Sequence, residues 1–360
     1  PSLVGSEMCI RDRAEPFLPA GTVIAREQTY VHTFYKKEAT AQQPATSKEE
    51  GNLVAFSGPD FKATFDKQSG LLTSYLYKKH EYILNGQGPR PFFWRAPTDN
   101  DYGANLPVRL KAWKEASYQE PKAESFQVTP GSNATTVKVT YRFPQTEARW
   151  NITYKIYASG VIKVDNRFMA EGDQAPMIPR VGLRMQLPES FTDLTYYGRG
   201  PKENYRDRRT SQFIGEYAIP VKDMYEPYVR PQENNHRTDI YWCALTDKTQ
   251  RGLLLIADRT FELNASNYPL ESMDSGDTID NGAPRTEKTH HRHLTDPLPE
   301  KMVDLFIDYR MMGVGGDDSW GATAHEPYLI RPGKENAIEY GFSLVPFDKK
   351  EDYKYLIRQY

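Results

Sequence analysis

Apolar and polar residues alternate along much of this chain with a period of two, the spacing that puts successive side chains on opposite faces of a strand. In TTVKVTYRF, residues 135–143, Val137, Val139 and Tyr141 share one face and Lys138, Thr140 and Arg142 the other. NITYKIYASGVIKVDNRF, residues 151–168, repeats the pattern on both sides of Ser159 and Gly160, which predicts a hairpin with Ile152, Tyr154 and Ile156 on one face. FKATFD and LLTSYLY flank KQSG and predict another hairpin, closed at Gly70. RGLLLIAD, residues 251–258, is the unbroken apolar run of a buried strand. A helical period is scarce, and KAWKEAS, residues 111–117, is the best short candidate for one. Hairpin after hairpin from residue 52 to residue 349 predicts an all-β protein built as one large antiparallel sandwich.

Composition adds to this pattern. Aromatics make up 12% of the chain, with 26 Pro and 24 Gly, a mixture that suits short strands joined by tight turns. Lys and Arg total 46 against 48 Asp and Glu, so the net charge of −2 gives no electrostatic case for nucleic acid or an anionic membrane. No apolar run is long enough to span a bilayer, and a soluble protein is expected. The two cysteines, Cys9 and Cys243, imply no disulfide framework. There is no repeat at a fixed period and no phosphate-cradling glycine loop.

The first fifty residues read differently from the rest. LVGSEMCIRD, residues 3–12, back-translates to one reading frame of a transposon-end sequencing adapter, so residues 1–13 are expected to be an assembly artefact. A signal peptide is the rival reading, but charges sit where its apolar core belongs. Residues 14–37, rich in β-branched and aromatic side chains, are expected to be the last strands of a smaller, truncated β-sandwich domain. EATAQQPATSKEEG, residues 38–51, has the polar composition of a linker, and 52–360 is the large sandwich.

Five stretches carry candidate chemistry. FWRAPTDNDYG, residues 93–103, runs from an apolar start into an Asp- and Asn-rich stretch. Spacing favours an Asx-rich turn, and Asp99 with Asp101 lacks the further oxygens a calcium loop needs. Residues 196–217 and 223–242 are polar, aromatic and proline-rich together. Their Arg206, Asp207, Arg208 and Arg209 are either loop-fixing ion pairs or the wall of a polar cleft, with Asn204, Tyr205, Glu233 and Asn234 as further wall residues. THHRH offers His290, His291 and His293, of which 291 and 293 share a strand face. No carboxylate or cysteine completes a metal set, so a structural cluster is the favoured reading, with His291 kept as a wall candidate. Finally, GVGGDDSWGATAHEP, residues 313–327, sets Trp320 behind two glycines and two aspartates. A lone Trp is ordinarily core, but these neighbours are poor core company. An indole face suits the C–H face of a sugar ring, and Asp317 and Asp318 suit its hydroxyls.

FWRAPTDNDYG, GRGPKENYRDR, MYEPYVRPQEN, HRHL and MGVGGDDSWG follow one another at spacings that resemble the C-terminal domain of the large bacterial β-galactosidases of glycoside hydrolase family 2. The resemblance covers about residues 52–347, and AGTVIAREQ resembles the end of the sandwich domain before it. It implies a galactose-mutarotase-like β-supersandwich that contains no catalytic residue. The retaining pair of glutamates would sit in a barrel domain outside this sequence, together with any Mg or other divalent cation, and no cofactor is expected here. Trp320 matches a sugar-stacking tryptophan, and Gly103 matches a glycine at the substrate entrance, beside Asp101. The partners implied are a galactoside substrate, the missing domains of the same protein and further copies in a homo-oligomer, in bacterial cytoplasm or periplasm. A free-standing carbohydrate-binding or mutarotase-like module, and a purely structural sandwich with Trp320 buried, are the alternatives. If residues 1–13 come from an adapter, their codons are missing from the native locus, and finding them in genomic DNA would exclude that origin.

Overall fold

The computed structural model describes residues 2–10, 13–31, 42–172, 176–276, 293–318, 321–331, 333, 336–349 and 351–359. The chain divides into two compact units, residues 1–39 and a body running from Thr40 to Arg358. In the first unit Ser2–Ile10 pairs antiparallel with Val23–Val31, from Ser2 opposite Val31 to Ile10 opposite Val23.

The body is all-β apart from short helical pieces, and every strand pair in it is antiparallel. A five-stranded sheet runs in chain order through Thr46–Glu50, Leu53–Ser57, Phe61–Asp66, Leu72–Tyr77 and His80–Glu81. The expected hairpin closes where Gly70 takes φ +74°, and a Cβ there would come within 2.5 Å of a Val139 methyl. Both facts require glycine. The linker expected over 38–51 is shorter than that, because Thr46–Glu50 forms the edge strand of this sheet. All five of its side chains are exposed, so it carries no hydrophobic alternation by which to be seen.

A twelve-stranded sheet supplies the rest. Its main path runs Phe213–Pro220, Asp193–Gly200, Arg237–Thr246, Gly252–Ser266, Ile338–Phe347, Ile162–Ala170, Ala148–Ile156, Thr135–Phe143 and Ala123–Thr129. Gly252–Ser266 makes the sheet curl, because it changes partner midway. Residues 252–257 pair with Ile338–Phe347, and residues 262–266 pair with Met302–Met311. Met302–Met311 then continues into Arg180–Pro188, and that strand into Arg90–Phe92. The strands Thr135–Phe143, Ala148–Ile156 and Ile162–Ala170 bury the alternate residues that period two predicted.

The expected helix is present as Lys111–Tyr118 and buries Trp113. Its indole joins Phe93, Phe143, Trp150 and Phe168 in an aromatic cluster, with Phe93 centred 5.0 Å from Trp113 and 4.9 Å from Phe143. Trp150 donates from Nε1 to Asn166 Oδ1 at 3.0 Å, so its polar edge is satisfied inside the core. Among the described residues no helix is long and apolar enough to cross a membrane.

Phe93 has no exposed surface and touches four other rings of this cluster. Phe93→Ala is expected to cost about 3–5 kcal/mol, read as a lowered urea midpoint with unchanged slope. A loss under about 1 kcal/mol would mean that the cluster is not a unit of the core.

Candidate functional site

The site begins with local helix chemistry. Thr98 caps the helix Asp99–Gly103: its Oγ1 accepts the Asp101 N–H at 3.2 Å, and Asp101 Oδ2 accepts the Thr98 N–H at 3.0 Å. This reciprocal cap makes TDND a helix start, where the sequence suggested an Asx-rich turn. Asp101 also receives Arg95 in a fork, Nε to Oδ2 at 2.9 Å and Nη2 to Oδ1 at 2.7 Å, with both side chains buried. The same guanidinium donates to the backbone carbonyls of Met312 at 2.6 Å and Gly313 at 3.0 Å.

Those carbonyls open the loop 313–327, and two further side chains hold its next residues. Asn100 donates to the Val314 carbonyl at 3.0 Å. Asp207 accepts the N–H groups of Val314 at 3.2 Å and Gly315 at 2.7 Å. A Cβ on Gly313 would sit 2.6 Å from the Asp207 carboxylate, so a glycine is needed for that carboxylate to reach the backbone. The loop is therefore gripped from two separate stretches of chain. Beyond the grip, Asp318 accepts the N–H groups of Gly321 and Ala322 at 3.1 and 3.2 Å, and Asp317 pairs with His325 at 2.8 Å, both exposed. A Cβ on Gly321 would lie 3.7 Å from the Gly103 carbonyl oxygen. Gly103, Asp317, Asp318 and the residue that follows Trp320 thus lie in one neighbourhood. Trp320 itself lies outside the described residues, as do His290 and His291; His293 is exposed.

The remaining candidates take a different role from the one expected. Asp101 is not a ligand-facing carboxylate, because Arg95 and the Thr98 N–H occupy both its oxygens. Asn204, Tyr205, Glu233 and Asn234 are not cleft wall, being at most 3% exposed. Asn204 donates to the carbonyls of Arg199 and Lys202 and accepts from the Thr238 N–H and hydroxyl. Glu233 takes Arg180 at 3.0 Å and Asn264 at 3.1 Å, and Asn234 accepts the Glu226 N–H at 3.1 Å. Tyr205 stacks on His236 with ring centroids 5.4 Å apart. These residues form a buried polar frame with Arg180, His236, Thr238 and Asn264. Arg206 pairs with Glu262, Arg208 with Glu203 and Arg209 with Asp239, so these three cations are committed to ion pairs while Asp207 reaches the loop.

Sequence reasoning missed the charges that carry the frame: Arg95, Arg180, Glu262 and Asp308, all buried. A charge inside an apolar strand, as in LFIDY or TFELNA, was their available signal, since such a charge is buried only when paired. Burial pushes the Asp308 carboxyl well above its usual range, against the pull of Arg180. Burial also pushes Glu262 upward, but the hydrogen bond from His236, the Arg206 charge and the Met311 N–H together hold it below its usual value. No group of three or more His, Cys, Asp or Glu among the described residues is arranged to hold a metal ion.

Residues 57–344, which include every part of this loop and its supports, match the model of the β-galactosidase small chain. The chain belongs to that family. It is 33% identical over 291 residues to a β-galactosidase of Priestia megaterium, matching 81% of this chain and 26% of that protein. A β-galactosidase of Streptococcus thermophilus is 28% identical over 345 residues, which is 94% of this chain and 31% of that one. This small-chain sequence therefore spans between a quarter and a third of the length of these relatives. A galactose 1-epimerase of Lactobacillus acidophilus is similar in structure with a TM-score of 0.48 at 6% identity, covering 88% of this chain and 99% of that one.

Asp101→Ala leaves the Arg95 guanidinium buried with half its partners gone, and is expected to cost about 3–5 kcal/mol in urea unfolding. An effect under about 1 kcal/mol would mean that Arg95 reaches water. Glu262 is depressed in the fold, so its ionised form adds stability that is complete above the ordinary carboxylate range. That stability is lost as pH falls through the range toward the folded value. Glu262→Gln should flatten the fall in stability between about pH 6 and about pH 3 relative to the parent, and parallel curves would refute the assignment.

Proposed function

We propose that this chain is the region of a larger β-galactosidase that supplies one wall of its galactoside site through the loop 313–327. The observation that carries this reading is the grip on the loop's backbone by Arg95, Asn100 and Asp207, which fixes its first residues before any ligand arrives. A stacking platform is useful only if preorganised, because each degree of freedom left to it must be frozen on binding. Trp320 is the platform in this proposal. Its indole face covers the apolar face of galactose, Asp317 and Asp318 offer acceptors for hydroxyls, and Gly103 borders the entrance.

The hydrolytic step belongs to the rest of the longer protein. A retaining glycosidase needs two carboxyl groups about 5–5.5 Å apart, flanking the scissile bond, one as nucleophile and one as acid and base. Among the described residues the buried carboxylates are committed to cations instead: Asp101 to Arg95, Glu233 and Asp308 to Arg180, Glu262 to Arg206 and His236, and Asp304 to Arg184. A divalent cation, in this reading, also binds in that other part, and copies of the whole enzyme associate as a homo-oligomer.

The purified 360-residue chain is expected to release no nitrophenol from o-nitrophenyl β-galactoside, and turnover in preparations free of host enzyme would overturn the division of labour. In the full-length enzyme, Trp320→Ala should lower kcat/KM by roughly ten- to a hundredfold, the worth of about 1.5–3 kcal/mol of lost aromatic contact. Trp320→Phe should recover most of it, and an unchanged kcat/KM in Trp320→Ala would reject the stacking role.

A further inference from the structure

The partner change within Gly252–Ser266 has a spatial result. The pairing with Ile338–Phe347 ends at Ala257 opposite Phe342, and the pairing with Met302–Met311 starts at Glu262 opposite Asp308. Residues 258–261 pair with neither strand, and the two partners splay apart around them. The fork between them is a cleft of about 870 Å³, within the size range of small-molecule sites. Gly341 forms part of its lining, and a Cβ there would meet the Asp258 carboxylate at 2.4 Å and Asp165 at 2.9 Å. The glycine keeps that space open.

The charges around this cleft do not balance in their commitments. Each of its carboxylates already has a cation: Asp165 has Lys155 at 3.2 Å, Glu339 has Arg167 at 2.9 Å, Asp239 has Arg199 at 2.7 Å, and Asp258 has Lys163. Arg206 is likewise paired with Glu262. Two guanidinium groups, Arg259 and Arg310, make no ion pair or hydrogen bond with the described residues, and Arg310 Nε is buried without a partner. Arg310 is held against the Tyr309 ring, 5.3 Å from its centroid, by a cation–π contact. Tyr309 and Tyr340, half-buried with centroids 6.1 Å apart, add aromatic surface to the lining.

We propose that this cleft binds an acidic saccharide, one whose ring carries a carboxylate or sulfate group. A planar guanidinium matches the geometry of either anion in a bidentate pair, and the cleft offers two such forks with no competing free carboxylate. The tyrosine rings suit the C–H face of a sugar, and the hydroxyl of Thr153 faces the same space as a further polar group. A neutral sugar leaves both guanidiniums unanswered. A free inorganic anion answers them but leaves most of the cleft to water.

Calorimetric titration of the 360-residue chain with a galacturonate oligomer, a neutral galactose oligomer and inorganic sulfate separates these cases. Saturable binding of the galacturonate oligomer is expected, weakening as salt rises, with the other two at least about tenfold weaker. Arg259→Ala and Arg310→Ala should each weaken it about tenfold, the loss of one charge-assisted hydrogen-bonding group. Arg310→Lys should weaken it too, because it keeps the charge and loses the fork. Lys62→Ala, an exposed charge on the five-stranded sheet, should leave it unchanged. No saturable binding, equal binding of the neutral oligomer, or indifference to the arginine variants with native circular dichroism would each overturn the proposal. Sulfate binding as tightly as the oligomer would overturn its saccharide part. The readout is binding to this chain alone, so failure here leaves the reading of the loop 313–327 untouched, and the reverse holds.

Discussion

Burying a guanidinium without answering its donors is expensive, and the architecture around Arg95 follows from that constraint. Its four hydrogen bonds go to one carboxylate and two consecutive backbone carbonyls, at the end of the strand Met302–Met311. Asp101 can meet it only because Thr98 starts a helix at that point and turns the carboxylate inward. The carbonyls of Met312 and Gly313 can meet it only if the chain leaves the strand immediately after Met311. One buried cation therefore fixes a helix start and a loop start together, and the loop's direction is decided before its tip is reached.

The buried polar frame works on the same principle. Arg180 lies between Glu233 and Asp308 with no exposed surface on any of the three side chains, and Glu262 joins His236 and Arg206 next to it. Such networks contribute little net stability relative to apolar packing of the same volume, because desolvation offsets most of the attraction. What they contribute is a unique arrangement: a shifted register would leave a charge unanswered. The aromatic cluster of Phe93, Trp113, Trp150 and Phe168 stabilises the body, while the charged frame determines where the loop is held.

Much of the fold was legible because period two is a local signal. The alternation in Thr135–Phe143 and Ile162–Ala170 states which side chains are buried without reference to any other segment. Thr46–Glu50 was illegible for the converse reason, since an edge strand with five exposed side chains has no apolar face to declare. The loop 313–327 stood out by composition, but nothing local says that Asp207, more than a hundred residues earlier, holds it. Glu233 and Asn204 read as surface because polar residues usually are; their partners Arg180 and Thr238 are 53 and 34 residues away. Asp101 sits in a pattern that reads equally as a turn or a capped helix, and the deciding partner, Arg95, was hidden in an apolar run.

A charged, buried clamp holds the backbone where the loop 313–327 begins, and the proposed role of that loop is a prebuilt face for sugar. A crystal structure of the full-length enzyme with a bound galactoside tests it most directly. The Trp320 ring is expected against the C–H face of the galactose at about 4 Å, with the Arg95, Asn100 and Asp207 contacts the same with and without ligand. Trp320 packed into the protein core, or a sugar bound with no contact to this loop, would contradict it.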